Sequence, residues 1–311
     1  MTLLEQIEAG AQRLRDAQVA FGHGTTNAFD EAAWLVLWSV GLPLDTPLDE
    51  ADGAAAQTVT PAQAAKVTTL LEQRITSRKP AAYLTREAWL QGVAFYVDER
   101  AIVPRSLIAE VIADGSIDYW LSETTRRVLD LCTGNGSLAV IAALTYPDTV
   151  VTGADLSADA LAVARINVDR HQLQDRISLV ESDGLRAAEL QARGPFDLIL
   201  CNPPYVNADS MAALPAEYRA EPALALAGGT DGMDFVRTLM VEAPALMAPG
   251  GVLVLEIGNE RNHFEAAFPN LEAVWLETSA GADQVLVVTR EALVSYWMLL
   301  RGPKAGGHGA L

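Results

Sequence analysis

The sequence has few of the residues from which disulfide frameworks and metal sites are built. Its 311 residues include two cysteines, Cys132 and Cys201, and four scattered histidines. Two cysteines in a chain of this length do not make a disulfide framework, so we expect a reducing cytoplasm and read both as small core residues rather than reactive thiols. No group of cysteines and histidines has the spacing of a metal site, and no metal is expected.

Long apolar runs are also absent. Half of the residues are hydrophobic, yet no run approaches the roughly 20 residues of a membrane span. The opening stretch, MTLLEQIEAGAQRL, is amphipathic and carries acids early, so it is not expected to be a secretory signal. A chain of this size and composition can bury a sizeable core, in one large domain or two.

Positive charge is scarce. There are 22 lysines and arginines against 40 aspartates and glutamates, which gives a net charge of −18. A protein whose main task is to grip a phosphate backbone needs a basic face, so this balance argues against that class. It suits a basic partner, since opposite fields speed encounter. The alternative is that the acidity only keeps the chain soluble.

The pattern of the chain divides it into parts. Residues 1–90 read as helices; one starts at Thr60 as N-cap with Pro61 in the first turn. Residues 91–105 belong to a stretch of alternating apolar and polar residues, which predicts a connecting β-hairpin. From 106 to 301 strands and helices alternate, and 302–311 is expected to be a flexible tail. No internal repeat is present.

The alternation after residue 106 predicts a mostly parallel sheet with helices on both faces. The predicted strands are 126–132, 149–155, 177–182, 196–201, 250–258, 272–278 and 283–290. The predicted helices are 137–147, 157–171, 234–247 and 263–268. In such sheets ligands bind at the carboxyl ends of the strands, where the strand order reverses.

The first of these strands ends in DLCTGNGS. Gly134 and Gly136 lack Cβ atoms and let the backbone turn tightly and approach a ligand, and the next helix points its free N–H groups at the same place. The letters GNGSLA also fit the G-x-G-x-x-A dinucleotide fingerprint. The alternative is a plain glycine turn.

Acidic residues end the next two strands. Asp155 follows the glycines by about twenty residues, the position from which a carboxylate accepts both hydroxyls of a ribose in NAD or S-adenosylmethionine. The alternative for Asp155 is a helix cap. Asp183, at the tip of the third strand, is predicted to accept from an adenine amino group, or else merely to begin a turn.

The fourth strand ends in CNPPYVN, and here a family resemblance becomes visible. An [N/D/S]-PP-[Y/F/W] motif at this strand resembles the class I S-adenosylmethionine-dependent methyltransferases that modify planar nitrogens. Together, FYVDERAIVPRSLIAEVI, VLDLCTGNGSLAV, CNPPYV and EYRAEPALALAGGTDGMD resemble the bacterial glutamine N(5)-methyltransferases. The forms VPRS and EPALALAGGTDG are similar to the branch that acts on a ribosomal protein rather than on release factors. Asn135 departs from the family, where serine is more usual.

The resemblance implies a fold, a cofactor and a substrate. It implies a seven-stranded Rossmann-like sheet whose last strand is antiparallel, with a small helical N-terminal domain that recognises the substrate. It implies S-adenosylmethionine as cofactor and a glutamine side chain of large-subunit ribosomal protein three, a basic protein, as acceptor. The alternatives are a release-factor substrate, a nucleic-acid base and, in a different class, a nicotinamide-dependent oxidoreductase. No membrane and no stable nucleic-acid binding are expected.

The chemistry of an amide explains the NPPY residues. An amide nitrogen is a poor nucleophile because its lone pair is delocalised, and it offers two N–H donors. The Asn202 side-chain carbonyl and the Pro203 main-chain carbonyl can accept one each, the pair Pro203 and Pro204 holding both acceptors in place. Tyr205 can cover the face of the amide. The alternative is a rigid turn that ends the strand.

Several further residues complete the predicted site. Arg105 either steers the substrate or clamps the connector, and Glu256 is either a supporting residue or a strand end. Glu221 and Pro222 match the family motif in a long segment predicted to be a substrate-facing lid, without assigned chemistry. The remaining cofactor-binding residues that we predict are Asp130, Cys132, Thr133, Leu156, Gly184 and Asn202.

Overall fold

The protein consists of two compact units. The computed structural model describes residues 1–48 and 53–301, and the predicted tail 302–311 lies outside them. The helical unit comprises 1–105 together with 214–222, and the sheet unit comprises 106–213 together with the described residues from 223 onward. The sequence assigned 214–222 to the catalytic part. Its contacts place it in the helical unit instead, because Glu217 and Glu221 form buried ion pairs there.

The helices of the helical unit begin where local capping dictates. Thr2 and Thr60 each form a capping box, with Glu5 and Gln63 respectively, and Asn27 accepts from two backbone N–H groups of the second helix. The helices are α1 (Leu3–Asp16), α2 (Ala28–Val40), α3 (Pro61–Ser77) and α4 (Ala81–Thr85). Their apolar faces form one core.

The connecting hairpin is shorter than the predicted range. Strands β1 (Ala88–Leu90) and β2 (Val93–Phe95) pair antiparallel across Gln91 and Gly92, both with positive φ. Residues 96–105 do not continue the ladder. Asp98 turns the chain there, since its Oδ1 accepts from the backbone N–H of Arg100 and its carbonyl accepts from Ala101.

The sheet unit holds seven strands in the order β5-β4-β3-β6-β7-β9-β8. The strands are β3 (Arg127–Leu131), β4 (Val150–Asp155), β5 (Ile177–Glu181), β6 (Phe196–Cys201), β7 (Met247–Glu256), β8 (Val274–Thr278) and β9 (Gly281–Thr289). The last strand, β9, is antiparallel to both of its neighbours, and the other neighbouring strands run parallel. The predicted sheet and its single antiparallel strand are confirmed.

The helices of the sheet unit connect or flank its strands. They are α5 (Ile108–Ala113), α6 (Ser137–Thr145), α7 (Ala158–Arg170), α8 (Ala188–Arg193), α9 (Ala208–Ala213), α10 (Asp234–Glu242), α11 (Arg261–Ala267) and α12 (Arg290–Arg301). The predicted helix 234–247 ends early, in a 3-10 turn over 243–245, because Pro244 has no N–H to continue it. Helix α12 was missed; Thr289 starts it by accepting from the Ala292 N–H.

The topology defines where a ligand would bind. From β3 the chain adds β4 and β5 on one side, and β6 and β7 on the other, so the strand order reverses beside β3. The carboxyl ends of β3, β4, β5 and β6 lie at one edge of the sheet. None of the helices in the described residues combines the length and apolar character needed to cross a lipid bilayer.

Candidate active site

The glycine loop after β3 adopts a conformation that needs its glycines. Cys132, Gly134 and Gly136 have φ of 60°, 55° and 80°. A Cβ at Gly136 would lie 3.0 Å from the Cβ of Ala164 in α7, so this glycine also permits close packing. A Cβ at Gly134 would meet nothing closer than 4.0 Å, so the space beside it is open. Because Gly136 is the N-cap of α6, the free N–H groups of that helix begin at this loop.

Asp155, at the end of β4, is tied to this loop. Its Oδ2 accepts from the Gly134 N–H at 2.9 Å, and its Oδ1 accepts from the Ser157 N–H at 2.9 Å. Burial raises the pKa of Asp155 above its ordinary value. Ser157, not Asp155, is the N-cap of α7, because its hydroxyl accepts from the Ala160 N–H. The alternative of Asp155 as the helix cap is therefore wrong.

Asp130 is a fully buried carboxylate in β3 with one unused oxygen. Its Oδ2 accepts from the Thr133 hydroxyl at 2.5 Å and from the Ala139 N–H at 2.9 Å. Its Oδ1 is buried and has no hydrogen-bond partner among the described residues. Burial raises the pKa of Asp130 to about 7. A buried acceptor without a donor is costly, so this atom marks a place where a ligand donor fits.

The remaining predicted cofactor residues lie along the same edge. Leu156 is half-exposed. Asp183 is exposed, and its carboxylate pairs with the Arg186 guanidinium at 2.9 Å, a contact that contributes little in solvent. Gly184 has a φ of 57°, and a Cβ there would meet only the ring of Phe235 at 3.9 Å.

The NPPY segment leaves β6 at Asn202. The side chain of Asn202 is partly exposed and makes no hydrogen bond with any residue in the described part of the chain. Pro203 is buried and Pro204 partly so. The hydroxyl of Tyr205 donates to Glu256 Oε1 at 3.2 Å. Of the four residues, Asn202 therefore carries the polar group that is ready to receive a ligand.

Most of the chain is similar to glutamine methyltransferases of two bacteria. It is 51% identical over 294 residues to the ribosomal protein uL3 glutamine methyltransferase of Bordetella pertussis, covering 94% of this chain and 96% of that one. It is also 51% identical to the protein of the same name from Burkholderia pseudomallei, covering 92% of this chain and 94% of that one. The chain belongs to the family of ribosomal protein uL3 glutamine methyltransferases.

Two coarser comparisons agree with this membership. Residues 117–217 match the family described as the methyltransferase small domain. The solved structure of the hMettl16 catalytic domain in complex with MAT2A 3′UTR hairpin 1 is 14% identical, with a TM-score of 0.50 over 76% of this chain and 83% of that one, and shows the fold alone. The protein is thus an enzyme of the class I methyltransferase fold, and the nicotinamide oxidoreductase alternative is set aside.

The site residues of the helical unit have a structural setting that the sequence left open. Arg105 forms a bidentate pair with Glu221, with Nη1–Oε1 at 2.6 Å and Nη2–Oε2 at 2.7 Å. Glu221 Oε1 also accepts from the Val103 N–H at 2.9 Å, and His23 lies 3.4 Å from Oε2. These contacts favour the clamp over the steering role of Arg105, whose contact with substrate stays a prediction.

Sequence reasoning missed the residues that support Tyr205. Tyr205 is surrounded by Gly228, Gly232 and Gly258, at each of which a Cβ would come closer than 3.0 Å to it. The glycines of AGGTDG and of EIG were the available signal, because glycine lets another part of the chain approach the backbone closely. That signal does not say which residue approaches.

Proposed function

We propose that this methyltransferase moves a methyl group from S-adenosylmethionine to the side-chain amide nitrogen of a glutamine in ribosomal protein uL3. The observation that carries the proposal is the unengaged Asn202 amide beside the glycine loop, in a chain 51% identical to relatives that bear this function in their name. The net charge of −18 is consistent with a basic protein partner and argues against a nucleic-acid substrate.

The cofactor proposal rests on the donor groups of S-adenosylmethionine and the acceptors at the sheet edge. The partnerless Oδ1 of Asp130 fits an ammonium donor, and the carboxylate of Asp155 fits ribose hydroxyls. Open space beside Gly134 admits a ligand close to the backbone. Asp183 is proposed for the adenine amino group, since within the described residues its carboxylate pairs only with the exposed Arg186.

The chain's part in the reaction is to orient the acceptor. When bound, S-adenosylmethionine supplies an electrophilic methyl group. Asn202 Oδ1 accepts one amide N–H and the Pro203 carbonyl accepts the other, so the nitrogen is held in one plane. Tyr205 covers a face of that amide. Methylation acidifies the nitrogen, whose proton then leaves to water or a carbonyl, so a histidine base is not required.

The helical unit is proposed to recognise uL3, in the cytoplasm where ribosomes assemble. Supporting this role, the helical unit has a core of its own and a partly exposed apolar groove of about 330 Å³ lined by Phe29, Trp34 and Trp89 among others. Release factors are the second candidate acceptor. The names of the relatives favour uL3 over them.

Methyl transfer from labelled S-adenosylmethionine tests the proposal. Purified uL3, ribosomal particles, a release factor and nucleic acid are offered separately, and the modified residue is located by mass spectrometry. We expect one glutamine of uL3 to be methylated. Asn202→Ala should lower kcat on the order of 100-fold, because the nucleophile loses its orientation, with cofactor affinity nearly unchanged. Methylation of a release factor or of a nucleobase in place of uL3 would contradict the proposed substrate.

A further inference from the structure

The backbone of Tyr205 is fixed by the glycine-rich segment 226–232. The Val206 N–H donates to the Leu226 carbonyl and the Gly228 N–H donates to the Val206 carbonyl, both at 2.9 Å. A Cβ at Gly228 would lie 2.7 Å from Tyr205 Cα, and one at Gly232 would lie 2.2 Å from the Tyr205 carbonyl oxygen. The main chain of Tyr205 is therefore packed too closely for any other residue at these two positions.

The side chain of Tyr205 is held by the end of β7. A Cβ at Gly258 would lie 2.5 Å from the ring Cε2. The phenolic hydroxyl donates to Glu256 Oε1 at 3.2 Å. Because Cys201 in β6 pairs with Leu255 in β7, Asn202 and Glu256 are the next residues of two adjacent strands. Glu256 thus reaches the ring from directly beside the NPPY segment.

Glu256 is a buried carboxylate that no cation neutralises within the described residues. It is 4% exposed. Its Oε2 accepts from the Ser106 hydroxyl at 2.5 Å and from the Leu107 N–H at 2.9 Å. Burial raises the pKa of this carboxyl. Burying a charge without a cation lowers stability. A neutral glutamine could also accept hydrogen bonds from Ser106 and Leu107, with a smaller desolvation penalty. These two contacts therefore do not explain why the residue at position 256 is a glutamate.

What a carboxylate adds is a fixed direction for the donors around it. An ionised carboxylate only accepts hydrogen bonds, so both hydroxyls that touch Glu256 must point their hydrogens at it. The Tyr205 hydroxyl is thus the donor of this bond, and turning away would leave Glu256 Oε1 without it. This bond adds to the packing of the backbone and of one ring edge in holding the ring.

We propose that Glu256 is a positioning residue, which holds the ring of Tyr205 over the face of the acceptor amide by accepting its phenolic hydrogen. The proposal rests on the proposed function, since it takes NPPY as the binding site of a planar amide. Glu256 acts through Tyr205 and does not itself touch the acceptor.

A double-mutant cycle tests the proposal. Tyr205→Phe and Glu256→Gln should each lower kcat about tenfold, as expected for loss of one hydrogen bond to a charged group. The double variant should be no more than about twofold worse than Tyr205→Phe, because both changes remove one shared interaction. The affinity for S-adenosylmethionine, measured by calorimetry, should stay within about threefold of the wild type in all three variants.

The same unit offers a matched control. The Tyr146 hydroxyl donates to Asp118 Oδ1 at 3.1 Å, in the turn that precedes β4 at the amino ends of the strands. Tyr146→Phe and Asp118→Asn remove a tyrosine–carboxylate bond of similar length at the protein surface and should leave kcat unchanged. A loss of kcat equal to that at Tyr205 and Glu256 would show general destabilisation and overturn the positioning role.

The cycle is run on whichever acceptor the wild type methylates. Failure to methylate uL3 contradicts the proposed function, while the cycle on the true acceptor still decides the role of Glu256. Additive losses, or a Glu256→Gln loss that lies in cofactor affinity rather than kcat, overturn the proposal. If Glu256→Gln does not fold, Tyr205→Phe decides alone: an unchanged kcat overturns the proposal, and a tenfold loss at normal cofactor affinity supports it.

Discussion

Buried acids of the helical unit pair with arginines, whereas three acids of the sheet unit have no cation beside them. Glu260, which contacts His263 at 2.5 Å, is the exception in the sheet unit. In the helical unit, Arg74 is fully buried and its guanidinium contacts Glu31 at 2.8 Å and Glu217 at 3.4 Å, while Arg105 contacts Glu221. In the sheet unit, Asp130, Asp155 and Glu256 accept only from N–H and hydroxyl groups. No lysine, arginine or histidine pairs with these three within residues 1–48 and 53–301.

The pKa shifts of these acids differ between the two units in the same sense as their partners. Although burial opposes it, Arg105 and His23 hold the pKa of Glu221 at about 2, and the pKa of Glu217 is also lowered. Burial raises the pKa of Asp130, Asp155 and Glu256. Glu31 is the exception in the helical unit, since burial outweighs Arg74 and raises its pKa.

The difference indicates that the ion-paired acids of the helical unit stabilise the fold, whereas the unpaired acids of the sheet unit serve a ligand or a positioned side chain. Removing one member of a buried ion pair leaves an uncompensated charge, so the acids of the helical unit are structural. An unpaired buried carboxylate lowers stability and is retained where a ligand or a positioned side chain uses it.

The largest effect is expected at Arg74. Arg74→Met keeps most of the side-chain volume but leaves Glu31 buried without its arginine and Glu217 with Arg78 alone, 3.3 Å away. This should cost about 3–5 kcal/mol of unfolding free energy. The unfolding free energy is measured by urea unfolding, monitored through tryptophan fluorescence. Adding Glu31→Gln and Glu217→Gln to Arg74→Met should recover most of the loss. If the single variant is as stable as the wild type, the network is not structural.

A change at Asp155 should affect cofactor binding rather than the stability of the fold. Asp155→Ala should weaken S-adenosylmethionine binding about tenfold to a hundredfold, because hydrogen bonds to a charged group contribute roughly 1.5–3 kcal/mol. Asp197→Ala is the matched control, since Asp197 Oδ2 accepts from the Arg126 and Arg127 N–H groups at 2.8 and 2.9 Å. Calorimetry should find cofactor affinity unchanged in that control. Equal losses in both variants would remove Asp155 from the binding site.

Local sequence patterns allowed much of the fold to be predicted. Strand β6 has the predicted bounds 196–201, because its apolar run is flanked by Pro195 and the NPPY prolines, and Thr60 starts α3 as its capping box requires. The pairing of Arg74 with Glu217 spans 143 residues and leaves no periodic signal, since a charge on an amphipathic helix reads as solvated. The segment 214–222 was misassigned for that reason.

The residues of the candidate site also fall into those that the sequence could predict and those that it could not. Its positions at strand ends follow from topology, so Asp155, Asp183 and Asn202 could be found from spacing alone. The Tyr205–Glu256 bond could not, because it depends on the side-by-side register of β6 and β7, which are 51 residues apart at the contact. Spacing along the chain does not encode that register.

Asp130 should give the sheet unit a pH-dependent stability. Its pKa of about 7 in the folded state exceeds the ordinary value of 3.8, so the folded state binds more protons between these values. Unfolding free energy should therefore fall as pH rises from about 4 to about 7. Asp130→Asn should remove about 2 kcal/mol of the change between pH 5 and pH 7. The unfolding free energies of the wild type and of Asp130→Asn are measured by urea unfolding at pH 5, 6 and 7. The same pH dependence in both would contradict the prediction.

The smallest effect is expected at an exposed ion pair of the helical unit. Arg13 Nη2 lies 3.6 Å from Glu72 Oε1, with 38% and 61% of the two side chains exposed. Water and salt screen such a pair, so Arg13→Gln should change the unfolding free energy by less than about 1 kcal/mol, and 0.5 M salt should abolish the difference. Urea unfolding at low and high salt measures both. A loss as large as that of Arg74→Met would mean that burial does not set the value of these pairs, and the division between the two units would lose its physical basis.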